Sequence, residues 1–247
     1  MIKSARYRYP GVQGFALDGV DLQVRPGEVV GVVGPNEAGK TTLCLIASGL
    51  APLAIGGSLE GSVEVDGSRT VDLRTHELAQ RVGVLFQNAE TQLSGTVPTV
   101  WEEVAFGPRN LGLDVPTIVE RVDAALELLR IAHLAGRDPT RLSGGQAQLV
   151  ALASVLALRP AVLALDEPTS QLDPAGTRLV GDALAGLAAE TNTAILLVEH
   201  KTDLLAAIAT RVALVVGGRI VADGPAREVL ASAELEANGV EPPSSVR

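Results

Sequence analysis

Short apolar runs rich in β-branched residues alternate along this chain with Ala/Leu-rich stretches of helical length. Residues 29–33 precede 40–49, residues 162–165 precede 174–189, and residues 194–198 precede 202–209. Such alternation predicts a parallel sheet with crossover helices. The two ends of the pattern differ. Residues 62–65 run into Asp66-Gly67, and residues 212–216 run into Gly217-Gly218 and then 219–221. These are hairpin signals, and they place an antiparallel piece beside the parallel core. Between 87 and 158 the pattern turns mostly helical, punctuated by Pro98, Pro108, Pro116 and Pro139, so a helical subdomain over about 88–158 is expected as an insertion. The expected fold class is α/β: one domain over 1–231 carrying an antiparallel β subdomain and the inserted helical one. From Ser232 onward Glu, Asn, Gly, Pro and Ser dominate, and 232–247 reads as a loose tail.

Composition fits a folded chain and narrows its partners. The 247 residues are 47% hydrophobic, 20% charged and 2% aromatic, the profile of an Ala/Val/Leu-rich globular protein. A net charge of −9 without a basic stripe repels phosphate backbones, so no nucleic-acid partner is expected. The longest apolar run, 149–158, is too short to span a bilayer, and residues 1–9 lack the apolar stretch of a signal peptide. A soluble, cytoplasmic chain is the expectation. Cys44, the single cysteine, reads as a small core residue, and His76 and His133, which sit in no motif, as solvated positions.

Chemistry enters after the run 29–33. Gly34-Pro35-Asn36-Glu37-Ala38-Gly39-Lys40-Thr41-Thr42 fits the phosphate-loop pattern, with strand, loop and helix in the required order. Glycines let backbone N–H groups approach phosphates, and the helix N-terminus adds partial positive charge. Lys40 would reach the β/γ-phosphates and Thr41 would offer a hydroxyl to magnesium. Lysine occurs only at 3, 40 and 201 in a chain that otherwise uses arginine, yet the loop carries the compact ammonium. A second anion site is encoded at Leu142-Ser143-Gly144-Gly145-Gln146, where Ser143 is placed to cap an Ala/Leu-rich helix.

The phosphate loop together with this LSGGQ string resembles the ABC ATPase family, and the resemblance covers about residues 1–230. It implies a P-loop ATPase fold and a head-to-tail dimer in which the string of one subunit closes over the γ-phosphate held by the other. Residues 162–167, an apolar run ending in Asp166-Glu167, look like the family's Walker B element. Asp166 would hold Mg2+ and Glu167 would act as general base on the attacking water. Ser170-Gln171-Leu172-Asp173 is similar to the D-loop, and His200 to the switch histidine that contacts the γ-phosphate. Gln87, after 81–86, resembles the Q-loop glutamine that bridges magnesium to the helical subdomain. Gln92 is either a related subfamily residue or a surface amide. Tyr9 resembles the aromatic that stacks on adenine, with Tyr7 as a competitor on the same strand face and plain packing as the alternative. Two departures stand out: Glu37, where the family commonly has Gly, and Ala147-Gln148-Leu149, where it usually places basic residues.

Within the family, Phe86-Gln87-Asn88 through Gln92-Leu93, Val100, 103–108 and 110–113 look like the ATPases of energy-coupling-factor importers, which take up vitamins or cobalt and nickel ions. Tyr9-Pro10-Gly11 and Glu199-His200-Lys201 look like the same group. The resemblance implies ATP and Mg2+ as cofactors, and a second ABC ATPase subunit and integral membrane transporter subunits as partners. It also implies a peripheral position on the cytoplasmic face of the membrane. A soluble cassette acting on nucleic acid or ribosomes, and a cassette that binds ATP without cutting it, are the alternatives. Trp101 is the expected anchor for a membrane partner, against a core position under the helical subdomain.

Overall fold

The structure is a computed structural model that describes residues 1–245. In chain order its elements are β1 (Ile2–Arg8), β2 (Leu17–Leu22), β3 (Val29–Val33), α1 (Lys40–Ala47), α2 (Leu50–Leu53), β4 (Ser58–Val65) and β5 (Ser68–Arg69). Next come α3 (Thr75–Ala79), β6 (Val82–Leu85), α4 (Val100–Asn110), α5 (Val115–Leu128), α6 (Gly144–Leu156) and β7 (Val162–Asp166). The remainder is α7 (Pro174–Thr191), β8 (Ala194–Val198), α8 (Thr202–Ile208), β9 (Arg211–Val216), β10 (Arg219–Pro225), α9 (Ala226–Leu230) and α10 (Ala233–Ala237).

Six strands form one sheet in the order β10-β9-β3-β8-β7-β6, parallel except for the edge pairing of β9 with β10. Its central strands are apolar on both faces because each face has its own core. Val29 and Val33 of β3 join Leu163, Leu165, Ile195 and Leu197 in a core shared with the helical insertion and α7–α10. Val30 and Val32 join Ala164, Leu196 and Val198 in a second core, with Leu43, Cys44 and Ile46 of α1 and the antiparallel sheet. Burying one such side chain contributes about 1.5–3 kcal/mol. That antiparallel sheet, ordered β2-β1-β4-β5, lies against α1 and buries Tyr7, Leu17 and Val63.

The insertion is helical as expected, but its prolines act unequally. Pro116 sits in the first turn of α5 and Pro139 opens a short 3-10 turn, positions where a missing N–H is tolerated. Pro108 instead lies inside α4, which ends within one turn of it. The loose tail is corrected over its described part. Ser232 caps α10, Leu235 is fully buried and Val240 nearly so, and both belong to the first core. Ser244 also bonds Asp203 through its N–H at 2.7 Å and its hydroxyl at 2.9 Å. Two apolar residues in a polar stretch are enough to dock it. The last two positions of that tail, 246 and 247, lie outside the described residues. Among the described residues no helix is long and apolar enough to cross a membrane.

Candidate functional site

The carboxyl ends of β6, β7, β8 and β3 lie side by side, because the ladders pair Leu85 with Leu165, Asp166 with Val198, and Val32 with Val198. Ligand sites of open α/β sheets form at this edge. Here it brings the segments holding Gln87, Asp166-Glu167, His200 and the 34–42 loop together. A cleft of about 480 Å³ is lined by Tyr9, Asn36–Thr42, Gln87, Glu167 and His200.

The loop has the form of a phosphate cradle. At Gly34 a Cβ would fall 2.1 Å from the Val215 carbonyl oxygen, and at Gly39, with φ near 103°, 2.6 Å from that of Ala16. Gly39 precedes α1 without any side-chain cap, which leaves the first N–H groups of the helix without a side-chain partner. Lys40 is 6% exposed, and its ammonium donates to the carbonyls of Gly34 at 2.8 Å and Pro35 at 2.7 Å. Burial lowers its pKa, while Glu167 and Asp166 pull it back up. Glu37 is exposed and left-handed, at φ 61°, which accounts for the resemblance favouring glycine there: the backbone wants a residue without Cβ.

Asp166 is 3% exposed, and burial raises its pKa, opposed by a hydrogen bond from the Thr41 hydroxyl. Glu167 turns out of the strand with a left-handed backbone, φ 52°, and its N–H donates to the Val198 carbonyl at 2.9 Å. Its carboxylate is bracketed by the Gln87 amide nitrogen at 2.9 Å and His200 Nε2 at 3.1 Å. Tyr9 lines the cleft and shares a 3.0 Å hydrogen bond with the Thr42 hydroxyl. Tyr7 is fully buried with its hydroxyl on the Gly56 carbonyl, so it does not compete. Gln92 is not a free surface amide: it accepts from the Phe86 N–H and donates to the Val84 carbonyl, finishing the end of β6.

Other expected residues are not brought here. Ser143, Gly144, Gly145, Gln146 and Asp173 do not line the Lys40 cleft. Gly144 borders a separate polar cleft of about 390 Å³ with Gln87, Glu90, Gln148, Ser170 and Gln171. Ser143 caps α6 in a reciprocal pair with Gln146, and Asp173 caps α7 by accepting from the Gly176 N–H at 2.7 Å. Trp101 is partly buried, its ring packed against the core and below Arg109, its indole N–H donating to Asp123 at 2.9 Å.

Comparison with known proteins decides the family. The family model described as ABC transporter matches residues 17–170, well over half of the chain. The chain belongs to the ABC transporter family, as one of its ATP-binding cassettes. This cassette is 41% identical, over its whole length and 88% of the relative's, to a Pyrococcus abyssi protein provisionally named an ABC transporter ATP-binding protein. Its fold is similar to the dimeric post-hydrolysis structure of the cassette MJ0796 bound to ADP and Pi. That match has a TM-score of 0.81 and 26% identity, covering 92% of this chain and 98% of the other. It is also similar to cbiO1 of Clostridium perfringens, described as part of the ABC transporter complex cbiONQ, with TM-score 0.77, 31% identity, and coverage of 95% and 91%.

Three residues named in the sequence only as a departure or a likeness, with no role assigned, also touch the cassette's site. Gln148 is fully buried and donates from its amide to the Glu167 carbonyl at 3.4 Å. Glu199 and Lys201, on either side of His200, bond the segment that follows Glu167. The sequence marked their positions, Gln148 at a departure from the family and Glu199 and Lys201 beside His200, but not what they touch.

Proposed function

We propose that this ABC ATPase hydrolyses MgATP in a head-to-tail pair of cassettes and so energises an importer of the energy-coupling-factor type for a micronutrient such as a vitamin or a transition-metal ion. The observation that carries the catalytic part is Glu167, held between Gln87 and His200 at the mouth of the Lys40 cleft. Lys40, the N–H groups of 34–42 and Thr42 bind the triphosphate, and Tyr9 faces the base. Glu167 accepts a proton from the attacking water, and His200 orients Glu167 and the γ-phosphate. Mg2+ would offset phosphate charge, held by the Thr41 hydroxyl, the Asp166 carboxylate and the Gln87 oxygen. The donor set suits a hard cation: all are oxygens, Thr41 already bonds Asp166, and Gln87 spends its NH2 group on Glu167. Ser143, Gly144, Gly145, Gln146 and Asp173 act on the partner cassette's nucleotide, a reading supported by their not lining their own Lys40 cleft.

Glu167→Gln should keep ATP binding and lower phosphate release by about 10²–10⁴-fold, the range of general-base catalysis. Wild-type turnover in the variant would remove Glu167 from that role. The importer assignment is supported by the sequence likeness within 86–113 and by similarity to cbiO1. Identification of the membrane subunits that copurify with the cassette tests it.

A further inference from the structure

The turn after β8 does more than carry His200. Its three consecutive residues all bond the segment that follows β7. His200 Nε2 meets the Glu167 carboxylate at 3.1 Å. Glu199, 2% exposed, accepts from the N–H and hydroxyl of Thr169, and from the N–H groups of His200 and Lys201. Lys201 donates to the Thr169 carbonyl at 2.7 Å, the Leu172 carbonyl at 3.2 Å and the Thr177 hydroxyl at 2.8 Å.

These acceptors sit just before Ser170-Gln171-Leu172-Asp173, within it at Leu172, and on the first turn of α7. An ammonium has three protons, and each of the three acceptors takes one. A planar guanidinium cannot aim its donors at three points around one centre in the same way. This is where a chain that otherwise uses arginine places one of its three lysines. The Glu199 carboxylate is likewise fully engaged, so the cost of burying it is offset without a cationic partner.

We propose that Lys201 is a positioning residue for hydrolysis: with Glu199 it staples the 169–173 segment to the His200 turn, so that the loop, His200 and Glu167 keep one mutual geometry. The inference rests on Glu167 and His200 acting in hydrolysis, but the staple itself is measurable without turnover.

Two readouts test it, phosphate release and amide hydrogen exchange, on wild type, Lys201→Met, Lys201→Arg and Thr177→Val. Lys201→Met lowers kcat about tenfold while KM for ATP stays within about twofold, because the Lys40 cradle is not touched. Exchange at 169–173 and 200 speeds up, and exchange at 34–42 does not. Thr177→Val, which deletes one acceptor, lowers kcat about twofold to threefold and adds nothing on top of Lys201→Met. Lys201→Arg does not restore turnover. The proposal is overturned if Lys201→Met keeps wild-type kcat, loses only ATP affinity, or exchanges faster uniformly along the chain with a lowered Tm. Full turnover in Lys201→Arg also overturns it, since charge rather than the three-acceptor geometry would then suffice. Should Lys201→Met not fold, unchanged kcat and unchanged 169–173 exchange in Thr177→Val overturn it alone.

Discussion

Two helix starts in this cassette answer to the same local physics and end in opposite conditions. Both α1 and α6 start at a glycine-containing string, with Gly39 directly before α1 and Gly144-Gly145 as the first two residues of α6. At α1 the preceding residue is Gly39, which has no side chain with which to cap, and the helix start is sunk in a cleft beside a buried Lys40. At α6 the preceding residue is Ser143, exposed and locked with Gln146 in a reciprocal cap. The first start has no side-chain cap and opens on its own chain's cleft. The second is capped by its own side chains, with Ser143 exposed; on the function proposed above, the phosphate it meets is held by the partner cassette. A helix N-terminus is therefore not a site in itself; what precedes it and what surrounds it decide whether it binds, and in which subunit.

The largest effect should come from blocking the outward start. Ser143→Arg is expected to lower turnover by about 10²–10³-fold, as loss of donors to a developing charge does elsewhere. ATP binding to the single cassette should be unchanged, since Ser143 does not line the Lys40 cleft. Loss of the cap costs about 1 kcal/mol, too little to unfold the domain. In a Glu167→Gln background, sedimentation should show ATP-driven dimers of the parent and none of the Ser143→Arg protein. Equal dimerisation would mean that the two starts do not meet across subunits.

Next in size is damage to the inward start. In Gly39→Ala the new Cβ meets the Ala16 carbonyl oxygen at 2.6 Å in a left-handed backbone. Strain of about 1–3 kcal/mol at this point should weaken ATP binding by roughly tenfold to a hundredfold. Cys44 gives a direct readout: it is fully enclosed in α1 and burial pushes its thiol well up, so alkylation requires the cassette to open. MgATP at a hundred times its Kd adds about 2.7 kcal/mol to the closed state and should slow labelling of wild type about a hundredfold. Gly39→Ala should lose most of that protection at the same nucleotide concentration, whereas Ser143→Arg should keep it. Loss of protection in both variants would erase the contrast.

How much of this was legible beforehand follows from how local each feature is. The parallel core was plain in residues 29–33, 162–165 and 194–198 because strands covered on both faces are apolar throughout. β2, whose sequence LDGVDL alternates buried with polar positions around a glycine, carries no comparable run. The phosphate loop was legible because one segment supplies all of its parts. The Glu199–Thr169 and Lys201–Leu172 bonds were not, because they join positions about 30 residues apart through strand order. Pro108 and the tail failed for related reasons. A single proline marks where a helix weakens, not where it stops, and two apolar residues were outvoted by their polar neighbours until the fold gave them a core to enter.

The smallest effect concerns the one residue of the inward start that breaks its own rule. Glu37 places a carboxylate on a loop built for phosphate and holds a left-handed backbone that costs a non-glycine residue about 1–2 kcal/mol. Two consequences of Glu37→Gly oppose each other in the empty protein: relief of that strain, and the extra unfolded-state freedom of glycine, worth about 0.5–1 kcal/mol. Tm should therefore move little. Binding has no such cancellation, because the like charge acts only when the triphosphate is present. With the side chain exposed and screened by solvent, a gain of about twofold to fivefold in ATP affinity is expected, shrinking as salt is raised. Glu37→Gln separates the two contributions, since it keeps the strained backbone and removes only the charge. If Glu37→Gln gains as much affinity as Glu37→Gly, the charge is the whole effect. If only Glu37→Gly gains, the loop's conformation limits binding, and the inward start is less preorganised than its glycines suggest.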